Sequence, residues 1–134
     1  MVLLQIAEPG ATAEVHGDRQ IGVGIDLGTT NSLIAHFDGT DLRVLEDESG
    51  QASLPSVVYY GAKGTVVGTA AETYSSSEPA NTIASAKRML GRARAEFEDD
   101  PYVVLAEGEG LAFNTDAGSK TPVEVSSAIL NELK

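Results

Sequence analysis

One short segment of the chain carries the residue types that phosphate chemistry needs. In the segment Gly24–Ser32, a carboxylate, Asp26, stands at the end of an apolar stretch, and a glycine and two hydroxyl residues follow it. Such a turn can direct several backbone N–H groups at one point and form an anion-binding nest. Thr29 and Thr30 add hydroxyl donors, and Gly28 lets a ligand approach the backbone closely. The segment is therefore a candidate phosphate site.

The carboxylate of Asp26 fits a phosphate site only in the company of a cation. Alone it would repel the phosphate, but beside a hydrated Mg²⁺ it holds the ion that neutralises the phosphate charge. The chain has a formal net charge of −11, so nucleotide binding would need such an ion. The same residues also suit an ordinary hairpin turn, and the residue types alone leave both interpretations open.

Lys87 is a second candidate for chemistry. The pattern predicts a helix over Thr82–Leu90, with Asn81 as its N-cap and Gly91 just after its end. Lys87 and Arg88 fall in the last turns of this helix, where basic residues ordinarily compensate the helix dipole. The residue types alone favour that ordinary role over catalysis.

The composition excludes several classes of site. The chain has no Cys, which rules out disulfides and thiolate metal sites, and His16 and His36 are too far apart in sequence for a local metal cluster. The strong negative charge and the lack of a basic stripe argue against binding nucleic acid or an anionic membrane. No apolar run approaches the roughly 20 residues of a membrane span. We therefore expect a cytoplasmic location.

The candidate turn lies in a predicted antiparallel meander. Ile21–Leu27 alternates large apolar residues with small ones and predicts a buried strand. Asn31–Phe37 predicts a second strand, and Asp41–Leu45 predicts a third across the hairpin signal Asp38-Gly39. The turn therefore joins the first two strands.

Further elements follow along the chain. Two more hairpins are predicted, the first from Val57–Tyr60 and Thr65–Val67, the second from Tyr102–Ala106 and Leu111–Asn114. A helical pattern between them begins after Gly68 and ends at Pro79.

The last predicted element is a helix that begins at a capping box. Thr121 and Glu124 supply the box, with Pro122 at the first helical position. The apolar face of the helix is Val125, Ala128, Ile129 and Leu133. The sequence ends at Lys134 without a C-cap, so we expect a helix that is cut short.

An ordered set of segments resembles the 70-kDa heat-shock chaperone family over about residues 21–134. Val23–Ser32 resembles the N-terminal signature of that family nearly letter for letter. The other similar segments, in chain order, are Leu54–Val58, Val67–Ala71, Asn81–Ile83, Lys87–Arg92 and Val123–Leu130. In addition, Leu3–Gly10 resembles the N-terminal extension of the HscA-type branch, the bacterial members that serve iron–sulfur cluster assembly.

The resemblance implies an α/β fold of the actin-like (ribonuclease H-like) ATPase architecture, present in part. It divides the chain into a flexible arm, residues 1–20, and the first core strands with the phosphate-binding turn, residues 21–46. An inserted smaller subdomain, residues 47–120, and the start of a core helix, residues 121–134, complete the division. We therefore expect a three-stranded antiparallel start followed by a small inserted subdomain.

The resemblance also implies roles for the candidate residues. The residues that correspond to the first phosphate-binding turn, which binds ATP or ADP, are Gly28, Thr29, Thr30 and Asn31. Asp26 corresponds to the carboxylate near the hydrated Mg²⁺. Lys87 corresponds to the catalytic lysine, which orients the attacking water or contacts the γ-phosphate. These roles agree with phosphoryl transfer in general, where positioning and charge neutralisation supply most of the catalysis.

For the parent protein the resemblance implies an ATP-dependent chaperone that hydrolyses ATP to control client binding. Its partners would be a J-domain co-chaperone and an iron–sulfur scaffold protein. The family's second phosphate loop, catalytic glutamate, adenosine pocket and peptide-binding domain would lie beyond Lys134. We therefore expect the chain alone to form one wall of the nucleotide cleft and to hydrolyse ATP negligibly.

Two alternatives remain open. An actin-like sugar or acid kinase shares the turn around Asp26, although the segment Lys87–Arg92 argues against it. The chain could also be an inert folding unit with an open strand edge, and through that edge the isolated chain would self-associate.

Overall fold

The computed structural model describes residues 21–92, 96–97, 103–105 and 110–134. The arm expected at residues 1–20 lies outside the described residues. The strands are β1 (Gly22–Leu27), β2 (Asn31–Phe37), β3 (Leu42–Val44), β4 (Leu54–Pro55), β5 (Val57–Gly61), β6 (Gly64–Val67), β7 (Thr82–Ala84), β8 (Val103–Leu105), β9 (Leu111–Thr115) and β10 (Gly118–Lys120). The α-helices are α1 (Thr69–Glu72) and α2 (Pro122–Glu132), and 3₁₀ helices cover Pro79–Asn81 and Ala86–Met89.

The first sheet confirms the predicted antiparallel meander. Strands β1, β2 and β3 pair in that order, and the short β4 also pairs with β2 beside the candidate turn. Asp38 closes the β2–β3 hairpin because its carboxylate accepts hydrogen bonds from the N–H groups of Thr40 and Asp41, both at 2.9 Å. These two bonds also lower the pKa of Asp38. The hairpin predicted from Asp38-Gly39 is therefore confirmed.

The prediction that β1 is buried is wrong. Ile21, Val23 and Ile25 are 70%, 60% and 49% exposed, and only Leu27, at the end of the strand, packs against the core. The alternation of apolar and small residues identifies a strand, but burial also requires a layer that covers it. Within the described part of the chain, that layer reaches only the end of β1.

The core lies between the second sheet and α2. The sheet has the order β6-β5-β7, and β5 is buried along its whole length. The buried residues of the main core cluster are Val58, Tyr60, Ile83, Ala86, Phe113, Val125 and Ile129. Leu27 and Leu54 of the first sheet pack against this cluster. The core therefore supports the first sheet next to the candidate turn.

The third sheet has the order β10-β9-β8 and confirms the second predicted hairpin. The residues at its tip, 106–109, lie outside the described part of the chain. The sequence prediction missed β10, whose Ser119 pairs with Asn114. Phe113 on β9 connects this sheet to the main core cluster.

The predicted helix over Thr82–Leu90 is wrong. Thr82–Ala84 instead forms β7, which pairs with β5 and brings Ile83 opposite Val58. Ser85 then adopts a left-handed backbone (φ 57°, ψ 28°), and only the 3₁₀ turn after it is helical. Pairing with a buried strand outweighs the weak helix propensity of a Thr-Ile pair. Asn81 is consequently not an N-cap.

The helical prediction after Gly68 is confirmed over a shorter length. Helix α1 covers only Thr69–Glu72, and single turns continue as Tyr74 N–H bonds to Ala71 and Ser75 N–H bonds to Glu72. Neither helix in the described residues has the length and hydropathy that crossing a bilayer would require.

Helix α2 begins at the predicted capping box. Glu124 N–H donates to Thr121 Oγ1 at 3.2 Å, and Thr121 N–H donates to Glu124 Oε2 at 2.7 Å. Val125 and Ile129 are buried on the core side, and Ala128 packs against the same cluster. The predicted start is therefore confirmed, and so is the apolar face at Val125, Ala128 and Ile129, while Leu133 at the end of the helix is only half-buried.

Candidate phosphate-binding turn

The turn between β1 and β2 is tightly folded. Leu27 pairs with Ser32 across the first two strands, so the residues from Gly28 to Thr30 make the whole connection. A Cβ atom on Gly28 would lie 2.0 Å from the carbonyl oxygen of Asn31. No side chain fits at that distance, so the turn requires glycine at this position.

Ser56, the residue between β4 and β5, holds two carbonyl groups of the turn. Its N–H donates to the carbonyl oxygen of Thr30 at 2.8 Å, and its Oγ donates to that of Gly28 at 2.9 Å. The hydroxyl of Ser32 completes the cluster at 2.8 Å from Ser56 Oγ. Ser32 and Ser56 are 1% and 2% exposed. The inner side of the turn is therefore a buried polar contact.

This contact fixes the direction of two backbone donors. In a planar trans peptide the C=O and N–H bonds point in opposite directions, and the described part of the chain contains no cis peptide. Because the carbonyls of Gly28 and Thr30 point toward Ser56, the N–H groups of Thr29 and Asn31 point away from it. They face the outer side of the turn, where Thr30 and Asn31 are exposed.

The side-chain hydroxyl groups of the turn are also available to bind a phosphate. Among the described residues, none is hydrogen-bonded to the side-chain hydroxyl of Thr29 or Thr30. Outward N–H groups and available hydroxyls on one turn form a donor set suited to the oxygens of a phosphate.

Asp26 lies one residue before the end of β1, on the face opposite to Leu27 because successive side chains of a strand alternate. It pairs with Leu33 and is exposed. In the described part of the chain, its carboxylate has no ion-pair partner. The carboxylate is therefore open to solvent beside the turn.

The donor set of this region fits a hydrated Mg²⁺ better than a fully enclosed ion. The described residues contain no group of three or more His, Cys, Asp or Glu side chains that could enclose a metal. Mg²⁺ usually keeps several of its waters and takes only one or two protein carboxylates together with phosphate oxygens. A single exposed carboxylate, Asp26, beside outward N–H groups meets that requirement.

Lys87 lies on a separate element, the 3₁₀ turn Ala86–Met89, and its side chain is exposed. Its neighbours Ala86 and Met89 pack against the main core cluster, and so does Leu27, which precedes the turn. The end of β1 and the Lys87 segment therefore rest on the same core. Within the described residues no ion pair joins Lys87 to the turn, so its catalytic role stays a prediction.

Sequence reasoning missed the two buried serines. Ser32 falls inside the recognised turn segment, and Ser56 falls inside Leu54–Val58, yet neither was given a role. The available signal was a polar residue next to the apolar stretch of β5, which needs a hydrogen-bond partner once it is buried.

The chain matches the family described as "Hsp70 protein" over residues 22–134. It is similar to proteins named "Chaperone protein HscA homolog", with 45% identity to that of Acinetobacter baylyi over 136 residues and 100% of this chain. The proteins of the same name from Actinobacillus pleuropneumoniae and Shewanella amazonensis are 48% and 49% identical over 138 residues, 99% of this chain. In all three cases the chain spans 22% of the relative's length.

Proposed function

The chain belongs to the Hsp70 family, and from that premise we propose that it forms one wall of the nucleotide cleft of an ATP-dependent chaperone. The observation that carries this proposal is the orientation of the turn, whose carbonyls at Gly28 and Thr30 are bound to Ser56. That orientation leaves the N–H groups of Thr29 and Asn31 available to phosphate oxygens. The turn would therefore hold the phosphates of ATP or ADP.

Each candidate residue has a distinct part in this proposal. The N–H groups of Thr29 and Asn31 and the threonine hydroxyls bind and orient phosphate oxygens, while the exposed carboxylate of Asp26 holds a hydrated Mg²⁺. When bound, Mg²⁺ neutralises phosphate charge, which is a major part of phosphoryl-transfer catalysis. Lys87, an exposed ammonium on a turn anchored in the core, orients the attacking water or contacts the γ-phosphate.

The finer assignments rest on the relatives. The mixed α/β structure with antiparallel sheets is consistent with the first part of an actin-like ATPase, and we propose that architecture for the parent protein. The similarity to HscA homologues over the whole chain supports a role in iron–sulfur cluster assembly, with a J-domain co-chaperone and a scaffold protein as partners. We propose a cytoplasmic location, as the sequence led us to expect.

The family match also bears on the kinase alternative. The match runs through residues 22–134 and so includes the Lys87 segment, which argued against an actin-like sugar or acid kinase. Phosphorylation of a small metabolite by the complete protein would favour the kinase instead.

Turnover measurements test the proposal. Because the chain spans 22% of the relatives, we would join it to the remaining part of the Acinetobacter baylyi relative and measure ATP hydrolysis. We expect the joined protein to hydrolyse ATP and the 134-residue chain alone to release phosphate at a negligible rate. Turnover by the isolated chain at the rate of the joined protein would refute the one-wall assignment.

A further inference from the structure

We propose that Ser56 is a positioning residue for the phosphate-binding turn and that Ser32 assists it. The inference rests on the proposed function, since it assigns to Ser56 the task of presenting the donors that bind phosphate. Ser56 does not contact the ligand side of the turn. It acts through the carbonyl groups of Gly28 and Thr30.

The direction of the hydroxyl bonds follows from proton counting. A serine hydroxyl has one proton to donate. Ser56 Oγ donates its proton to the carbonyl oxygen of Gly28 at 2.9 Å, so the 2.8 Å contact with Ser32 must be donated by Ser32. The result is a series of two hydrogen bonds, from Ser32 to Ser56 and from Ser56 to Gly28, in which each bond polarises the other.

These side-chain hydrogen bonds and the backbone bond of Ser56 hold the turn at two points, the carbonyls of Gly28 and Thr30. The two held carbonyls belong to the peptides that precede Thr29 and Asn31, and the planar peptide turns both N–H groups outward. Loss of the Ser56 hydroxyl would free the first peptide to rotate while the bond to Thr30 remains. The Thr29 N–H would then lose its fixed direction.

The position of Ser56 in the fold makes it a rigid support. It lies between β4, which pairs with β2 in the first sheet, and β5, the buried central strand of the second sheet. Val58, two residues after Ser56, belongs to the main core cluster, and Leu54, two residues before it, packs against that cluster. The turn is therefore held from a residue that the second sheet keeps in place.

The first arm of the test measures the order of the turn without any ligand. We would record ¹⁵N relaxation on the 134-residue chain and on Ser56→Ala, Ser32→Ala and Ser126→Ala. The control is matched, because Ser126 is also buried and its Oγ donates to the carbonyl of Pro122 at 2.8 Å, within α2.

For Ser56→Ala we expect the order parameter of the Thr29 N–H to fall from about 0.85 to below about 0.6, while the Asn31 N–H keeps its order because the Ser56 N–H still holds the carbonyl of Thr30. Ser32→Ala should cause a smaller fall, because Ser56 can still donate to Gly28. Ser126→Ala should leave the turn unchanged. If Ser56→Ala fails to fold, Ser32→Ala against Ser126→Ala still decides the proposal, and equal order in the turn of these two overturns it.

The second arm measures Mg²⁺-ATP affinity by calorimetry in the protein joined to the Acinetobacter baylyi relative. We expect the affinity to weaken about tenfold in Ser56→Ala and about two- to threefold in Ser32→Ala, with Ser126→Ala unchanged. Affinity in Ser56→Ala equal to that of Ser126→Ala would overturn the positioning role.

The two failures are distinguishable. If the unmodified joined protein does not bind Mg²⁺-ATP, the proposed function fails, and the relaxation arm still decides whether Ser56 orders the turn. If the unmodified protein binds Mg²⁺-ATP and the Ser56 variant binds it equally well, the proposed function stands and the positioning role fails.

Discussion

Asn81 and Asp116 hold each other through two hydrogen bonds across 35 residues of sequence. Asn81 Nδ2 donates to Asp116 Oδ2 at 2.7 Å, and the N–H of Asp116 donates to Asn81 Oδ1 at 2.8 Å. Asn81 Nδ2 also lies 3.3 Å from Glu78 Oε2, the oxygen that accepts the hydroxyl of Tyr59 at 2.8 Å. The hydrogen bond from the Tyr59 hydroxyl to Glu78 contributes most to raising the pKa of Tyr59 to about 12. The network ties the β9–β10 turn to β5 and to the 3₁₀ turn Pro79–Asn81, which directly precedes β7.

Replacing Asn81 should therefore destabilise the fold. Asn81→Ala leaves the Asp116 N–H and two carboxylates without their amide partner, in a place where Asn81 is only 6% exposed. We expect a loss of about 2 kcal/mol in the free energy of unfolding. Urea denaturation would measure it, with Asn114→Ala as control because Asn114 is exposed on neighbouring β9. Equal midpoints for the two variants would contradict the structural role of the network.

The two glycines around Asp26 should differ strongly in how much stability they lose on replacement by alanine. A Cβ on Gly28 would lie 2.0 Å from the carbonyl oxygen of Asn31, and backbone cannot move aside as a flexible side chain can. A Cβ on Gly24 would have no atom within 4 Å. We expect Gly28→Ala to cost about 2 kcal/mol or more, and Gly24→Ala to change stability by about 0.5 kcal/mol or less. Thermal denaturation compares them, and similar melting temperatures would show that the turn tolerates a side chain.

The capping box of α2 should make part of the stability depend on pH. Hydrogen bonds from the N–H and hydroxyl of Thr121 lower the pKa of Glu124. A carboxyl whose folded pKa is lowered stabilises the fold above its unfolded pKa, about 4.3, and this stabilisation is lost as the pH falls through the folded value.

Glu124→Gln isolates that contribution. Gln still completes a capping box but does not titrate. Between pH 6 and pH 3 we expect the variant to lose less stability than the unmodified chain, as measured by urea denaturation at each pH. Asp38 and Asp47, whose pKa values are also lowered by hydrogen bonds, remain in both proteins and cancel in the comparison. Parallel stability curves would show that Glu124 adds nothing to the pH dependence.

Features that depend on neighbouring residues could be predicted from the sequence. The hairpin at Asp38 and the capping box at Thr121 form because each side chain bonds to backbone two or three residues away. The turn after Asp26 was also predictable, because a side chain at Gly28 would clash with the carbonyl oxygen of Asn31, only three residues further along the chain.

Features that depend on distant partners could not be predicted. The segment after Asn81 became a strand because β5, more than 20 residues earlier, offered an edge for pairing. The exposure of Val23 depends on which layer covers β1, and the pattern of β1 does not specify that layer. The link from Ser56 to Gly28 spans 28 residues, so no local pattern connects the two.

Calorimetric titration of Mg²⁺-ATP into the 134-residue chain tests most directly whether the chain forms one wall of a larger nucleotide site. The titration is repeated with Asp26→Asn and Lys87→Ala, which remove the proposed ion-holding carboxylate and the proposed catalytic ammonium. We predict millimolar affinity or no measurable heat in all three, because the chain spans only 22% of its relatives and the proposed phosphate-binding turn would be one part of a larger cleft. Micromolar affinity in the unmodified chain that both variants abolish would contradict the one-wall assignment.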